Sequence, residues 1–314
     1  PSTLPPFHPS TLPPFHPSTI VHLHSDGYTR AVADSEEDNE QPVAWNPMTP
    51  GGVATFANAP LSQLIATQGT FAFLLFLTLI YYLSQSWVPA INDTIEALPS
   101  GSRMADGKLR IPVTNPIYFT QNRLVGIMWA SNDAPGQGSD IQVRLMPDEI
   151  QISALFGILS LPYPSPIDQA LDRDTLSPPW GAWRPVIIAT VAGLLTGGVW
   201  LSWAVLAAIY AWPIRVAVYF RDKQTSHHGC WKLCSAALLP GGLLLTASIL
   251  FYTLGKIPVA GLAIAFGIHF VMGWSYVFCG AVALPLLPEA AQTESNPFNK
   301  TPKQNKGTKN PFKK

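Results

Sequence analysis

The chain has 314 residues with 19 basic and 19 acidic side chains, so it is formally neutral, and charged residues make up 12% of it, about half the ~25% usual in a soluble domain. Four stretches, 61–88, 186–214, 233–255 and 257–288, contain no Asp, Glu, Lys or Arg. That distribution excludes a single soluble globule, a nucleic-acid binder driven by net charge and a disulfide-stapled secreted domain, and leaves a polytopic membrane protein.

Residues 1–60 read as a disordered, proline-rich and acidic segment. Residues 1–8, Pro-Ser-Thr-Leu-Pro-Pro-Phe-His, recur letter for letter at 9–16. Proline at this density removes backbone donors and forbids a helix, so the expectation is extended, polyproline-like chain. A docking ligand or loose metal binding by His8, His16, His22 and His24 is the functional reading; a plain tail is the bland one. Met48 stands just before the first apolar stretch and is a candidate start, which would make 1–47 extraneous. The run Asp34-Ser35-Glu36-Glu37-Asp38-Asn39-Glu40 reads as solvated charge.

A helix needs about 20 apolar residues to cross a ~30 Å hydrocarbon core. Segments 61–88, 186–214, 233–255 and 257–288 all qualify, and the expected fold class is membrane α-helical with four transmembrane helices. Trp183 and Trp212 bracket the second, about 43 Å apart along a helix, which matches the distance between headgroup layers where Trp prefers to sit. The second span also carries Ala189, Gly193 and Gly197 at i, i+4, i+8, a small-residue face suited to close helix packing within the chain or in a homo-oligomer. In the third, Gly241-Gly242 after Pro240 predicts a kink.

Between the first two spans, 89–185 is too long for a structureless loop. Alternation in Gly107–Val113, Asp140–Leu145 and Glu149–Ser153, with the apolar run Leu124–Trp129 and turn chemistry at Asn132–Gly138, predicts four or five short strands in a small β-rich extracytoplasmic domain. Such a domain would lean on the helices or a partner. Asp168, Asp172, Arg173 and Asp174 form a charge cluster there; a solvated turn is favoured over a catalytic carboxylate pair. Asn92-Asp93-Thr94 is a glycosylation sequon, relevant only in a eukaryote.

Orientation follows from Lys and Arg near the membrane. The link 215–232 holds Arg215, Arg221, Lys223 and Lys232, whereas Lys256 is alone between the last two spans. This basic link is expected in the cytoplasm, with both termini, and the membrane is expected to be the bacterial inner one. The tail 289–314 carries Lys300, Lys303, Lys306, Lys309, Lys313 and Lys314, reads as disordered, and suits anionic headgroups. It contains Asn296-Pro297-Phe298 and Asn310-Pro311-Phe312, a tripeptide similar to that bound by Eps-homology domains in eukaryotic endocytosis; a chance occurrence is the bland reading.

Two side-chain sets are candidates for chemistry. His269 is the one ionisable side chain near the middle of a span, and an intramembrane His is a functional candidate by default. A proton relay or metal ligand stands against a neutral His bonded across helices, with Thr246, Ser248 or Tyr252 as partners. His228, Cys230 and Cys234 could offer three metal ligands, but the spacing is not that of a standard zinc site; small apolar packing or S-acylation are the other readings. No His-Glu-x-x-His, Gly-x-Ser-x-Gly or phosphate-binding Gly-x4-Gly-Lys-Ser/Thr occurs in the sequence, and no cofactor is expected.

Over 61–288, one helix, an external β-rich domain and three further helices resemble, in architecture alone, a class of bacterial polytopic membrane proteins; no functional residue carries over. The sequence therefore points to a non-enzymatic accessory or scaffold protein, in contact with the lipid bilayer and with a partner through 89–185 or 289–314, and not with nucleic acid. The alternative is an oligomeric transporter or channel subunit with His269 on its pathway.

Overall fold

The computed structural model describes residues 46–286, except 114, 130–137 and 165–167. Four helical stretches in it are long and apolar enough to cross a membrane: Leu61–Ala97, Arg173–Tyr219, His227–Thr253 and Val259–Ala283.

The chain enters through a short helix, α1 (Pro50–Thr55), started by Thr49, whose hydroxyl accepts from the Gly52 N–H at 3.1 Å. Val53 and Phe56 are fully buried, and the Tyr276 hydroxyl donates to the Met48 carbonyl at 2.8 Å. The expectation of an unstructured 1–60 therefore fails at 46–60. Charge and proline content hid a short apolar plug, Val53-Ala54-Thr55-Phe56-Ala57, that finds its partners only in the folded bundle. Gly280 makes room for it, since a Cβ there would come within 2.9 Å of Val53 Cγ1.

α2 (Leu61–Ala97) and α3 (Arg173–Tyr219) are much longer than the charge-free stretches that announced them. At 1.5 Å per residue they run about 55 and 70 Å, against a hydrocarbon core of about 30 Å. Toward the end of α2 and the start of α3 the two helices are joined by a side-chain hydrogen bond: the Trp180 indole N–H donates to Asn92 Oδ1 at 2.7 Å. The sequon is thus helix: Asn92 is taken by Trp180, Thr120 donates to Asp93, and the Thr94 hydroxyl donates to the Ala90 carbonyl. The acidic cluster is a helix start. Asp172 caps α3, accepting from the Thr175 N–H at 3.0 Å, and Asp174 sits in the first turn, where the helix dipole favours negative charge.

The β-rich region lies between these helices and is narrower than 89–185, because α2 and α3 take residues from both sides. β1 (Arg103–Ala105) and β2 (Lys108–Arg110) form a hairpin around Asp106 and Gly107, both at positive φ, the Asp-Gly pairing that a two-residue turn demands. β1 also pairs with β8 (Gln169–Ala170). The larger sheet is ordered β3 (Ile117–Gln121), β4 (Val125–Trp129), β5 (Ile141–Leu145), β6 (Glu149–Ala154), β7 (Gly157–Pro162). β4 and β5 are parallel and the other neighbours antiparallel. Its core, with Val125 and Trp129 at the centre, packs on Ala90 of α2 and on Tyr252.

The third apolar stretch is two helices, α4 (His227–Ala237) and α5 (Leu239–Thr253), interrupted at Leu238. The Pro240 ring crowds the carbonyl four residues back and supplies no N–H, which accounts for a break on its N-terminal side rather than at the glycines themselves. α6 (Val259–Ala283) closes the bundle. The Lys223 ammonium donates to the Leu284 carbonyl at 2.6 Å and the Val282 carbonyl at 3.0 Å, and Lys232 donates to Ala59 at 2.6 Å. Lys223 thus caps the C-terminus of α6, where the helix dipole favours a cation, while Lys232 ties the turn before α2 to α4.

Candidate functional site

The interrupted helix organises a polar seam inside the bundle. Gly241 and Gly242 let two neighbours approach where no other residue would fit. A Cβ on Gly241 would lie 2.5 Å from the His269 carbonyl oxygen, and one on Gly242 would run into the Trp203 ring. His269 on α6 and Trp203 on α3 therefore flank the diglycine from two sides, at 3% and 2% exposure.

The His269 Nδ1 faces the carbonyl of Phe266, one turn earlier, at 3.3 Å. Its Nε2 has no hydrogen-bond partner among the described residues, and neither has the Trp203 indole N–H or the Ser235 hydroxyl. The expected partners are engaged elsewhere: Thr246 and Ser248 donate to carbonyls of their own helix, Gly242 and Leu244, and the Tyr252 hydroxyl donates to Asp140. Back-bonding to the preceding turn is the short-range option for a helical hydroxyl, and it removes both groups from cross-helix service. Phe266 and Phe270 pack against the imidazole, with centroids at 5.8 and 4.4 Å.

Three residues before the break, the Ser235 carbonyl accepts from the Gln68 amide at 3.5 Å, and Gln68 accepts from the Trp200 indole at 3.3 Å. Gln68 and Trp200 escape a search for charge because both are neutral; a count of amides and indole N–H groups within apolar stretches would have found them. The seam draws on all four long helical stretches.

A second polar cluster joins the sheet to the helices. The Arg123 guanidinium donates to the Tyr252 carbonyl at 2.9 Å, near the C-terminus of α5, and lies 5.6 Å from the Tyr252 ring centre. The Tyr252 hydroxyl donates to Asp140 Oδ2 at 2.9 Å, and the Asp140 N–H donates to the Arg123 carbonyl. A cation on the free carbonyls of a helix end is favoured by the dipole as well as by the hydrogen bond. Nearby, burial and the Glu149 carboxylate push the Tyr163 phenol up, and its hydroxyl donates to the Met146 carbonyl at 3.0 Å.

The other candidates separate. Cys230 and Cys234 are fully buried in the core around α1, while His228 is exposed and stacks on Trp231. Among the described residues no three His, Cys, Asp or Glu side chains gather closely enough to hold a metal. Of the small-residue face, Gly193 has Phe76 at 4.0 Å and Gly197 has open space. Asn296, Pro297, Phe298, Asn310, Pro311 and Phe312 lie outside the described residues. Comparisons with protein-family models, with curated proteins and with solved structures found no match.

Proposed function

We propose that the protein is an integral membrane scaffold that holds a β module at a fixed position against one face of the bilayer and presents it to a partner, without turnover of its own. The observation that carries this reading is the joint: Arg123, Tyr252 and Asp140 clamp the sheet onto the end of α5, and Asp93 of α2 accepts from the Thr120 hydroxyl of β3. A module fixed at two places on the helices is a platform, not a tethered loop. On this reading the link 215–232 and both termini are cytoplasmic and the module lies outside, an orientation supported by the Lys and Arg near the helix ends, and the host is a bacterial inner membrane. The Lys-rich tail 289–314 adds an affinity for anionic lipid or a cytosolic partner. Mild-detergent purification with crosslinking and mass identification tests the proposal. A defined partner crosslinked to 98–172 is expected; turnover or flux by the reconstituted protein alone, with no partner, would overturn it.

A second reading has its own observation. An interrupted apolar helix with an unpartnered His269 at the interruption is the kind of place where carriers bind substrate near mid-membrane. On that reading the protein is an oligomeric carrier or channel subunit, and the seam is its pathway. Ion or proton flux in proteoliposomes, lost in His269→Ala and retained in Gln63→Ala, would support it.

A further inference from the structure

The β6–β7 hairpin carries apolar side chains where a soluble sheet would carry polar ones. Phe156 at its tip is 90% exposed and Ile158 is 67% exposed, and Leu155, Leu159 and Leu161 are exposed with them. Between Glu149 and Asp168 there is no Asp, Glu, Lys or Arg. An exposed contiguous apolar patch on one element marks an interaction surface.

Its position says what covers it. Leu155 and Phe156 share a groove of about 350 Å³ with Leu245, Ile249, Leu262 and Phe266 of α5 and α6. Those residues lie within helices apolar enough to cross a membrane. From Val259, the first residue of α6, to Phe266 is about 10 Å along the axis, and from Thr253 back to Leu245 about 12 Å. The hairpin tip thus hangs beside the helices well past their near ends. If α5 and α6 stand in a bilayer, the tip stands in the same leaflet.

We propose that the β6–β7 hairpin dips into the adjoining leaflet, its Leu155-Phe156 tip lying in lipid hydrocarbon and the groove beside α5 and α6 filled by acyl chain. The proposal rests on the membrane placement of the four helical stretches. The backbone permits it at the tip, where Ala154 pairs with Gly157 across the turn. Gly157 takes φ +134, a conformation L side chains rarely adopt. The backbone also limits the depth. β7 is an edge strand, and an open sheet edge cannot run through hydrocarbon. The strand spans about 16 Å from Gly157 to Pro162, so the tip enters and the rest remains at headgroup level.

Spin labels on the full-length chain in phosphatidylcholine vesicles test this. Labels are placed at Phe156→Cys and Ile158→Cys in a Cys279→Ser background, with Ile264→Cys as the helix-surface reference and Asp148→Cys as the aqueous one. The expected result is oxygen accessibility well above that of a water-soluble nickel chelate at 156 and 158, as at 264, and the reverse at 148. Labels at 156 and 158 that behave like 148 would overturn the inference while leaving the membrane reading intact. Labels closed to both relaxants would also overturn it, because protein and not lipid would then cover the tip. An aqueous response at 264 would instead bring down the membrane placement itself.

Discussion

His269 and Asp172 show how differently a polar side chain can be held. The His269 ring is enclosed by Phe266 and Phe270, with Nε2 unpartnered. A buried polar atom without a partner carries its full desolvation penalty, so replacement by an apolar ring is close to neutral or stabilising. His269→Phe is therefore expected to leave thermal unfolding in detergent unchanged or shifted upward. A loss of more than about 2 kcal/mol would mean that Nε2 has a partner. Asp172 is the opposite case: hydrogen bonds from Thr175, side chain and backbone, hold its carboxyl below the usual carboxylate range. A group held down in this way favours the folded chain above its unfolded pKa, and the contribution is lost as pH falls through the lowered folded value. Amide protection at the start of α3, taken relative to the intrinsic exchange rate at each pH, should therefore fall as pH drops below the ordinary Asp range. In Asp172→Asn, which keeps a capping oxygen but cannot titrate, that fall in protection should vanish.

At the scale of elements, the four apolar stretches could be read from the absence of charge, because a long uncharged run has few ways to be wrong. Their ends could not. α2 continues to Ala97 and α3 begins at Arg173 through polar residues, Asn92 and Asp172 among them, whose roles come from Trp180 and from a cap. The strands with clear alternation, β5 and β6, were legible. β7, apolar on both faces, shows no period, and β3 gave no run long enough to register. Nor does alternation distinguish the parallel β4–β5 pair from an antiparallel one. α1 was missed because six residues are too few for any periodicity, yet Phe56 behind it is fully buried. Truncating such a ring costs roughly 3–5 kcal/mol. Phe56→Ala should lower stability in detergent by that order; an unchanged melting profile would mean that the plug does not hold in solution.

For the whole molecule, the seam and the joint lie where separate segments meet, and a reading in chain order brings neither together. His269 was visible as the lone ionisable group of its stretch, but Trp203, Ser235 and Gln68 became part of a site only through the break at Leu238. Sidedness belongs to this scale too. A Cys placed at Asp148 should react with an impermeant maleimide on intact cells, and one placed at Arg221 only after permeabilisation. The reverse pattern would invert the molecule and put the β module in the cytoplasm.

The short pairing of Arg103 with Ala170 and Met104 with Gln169 brings the first and last strands of the β module side by side. The chain thus leaves α2 and rejoins α3 through a single narrow neck. Segments whose ends meet can be inserted or removed with little disturbance to their host. The neck alone does not make the module a separable cassette, because Arg123 and Asp140 hold it to Tyr252 and Thr120 holds it to Asp93: a different module spliced at the same neck would have to supply those contacts as well.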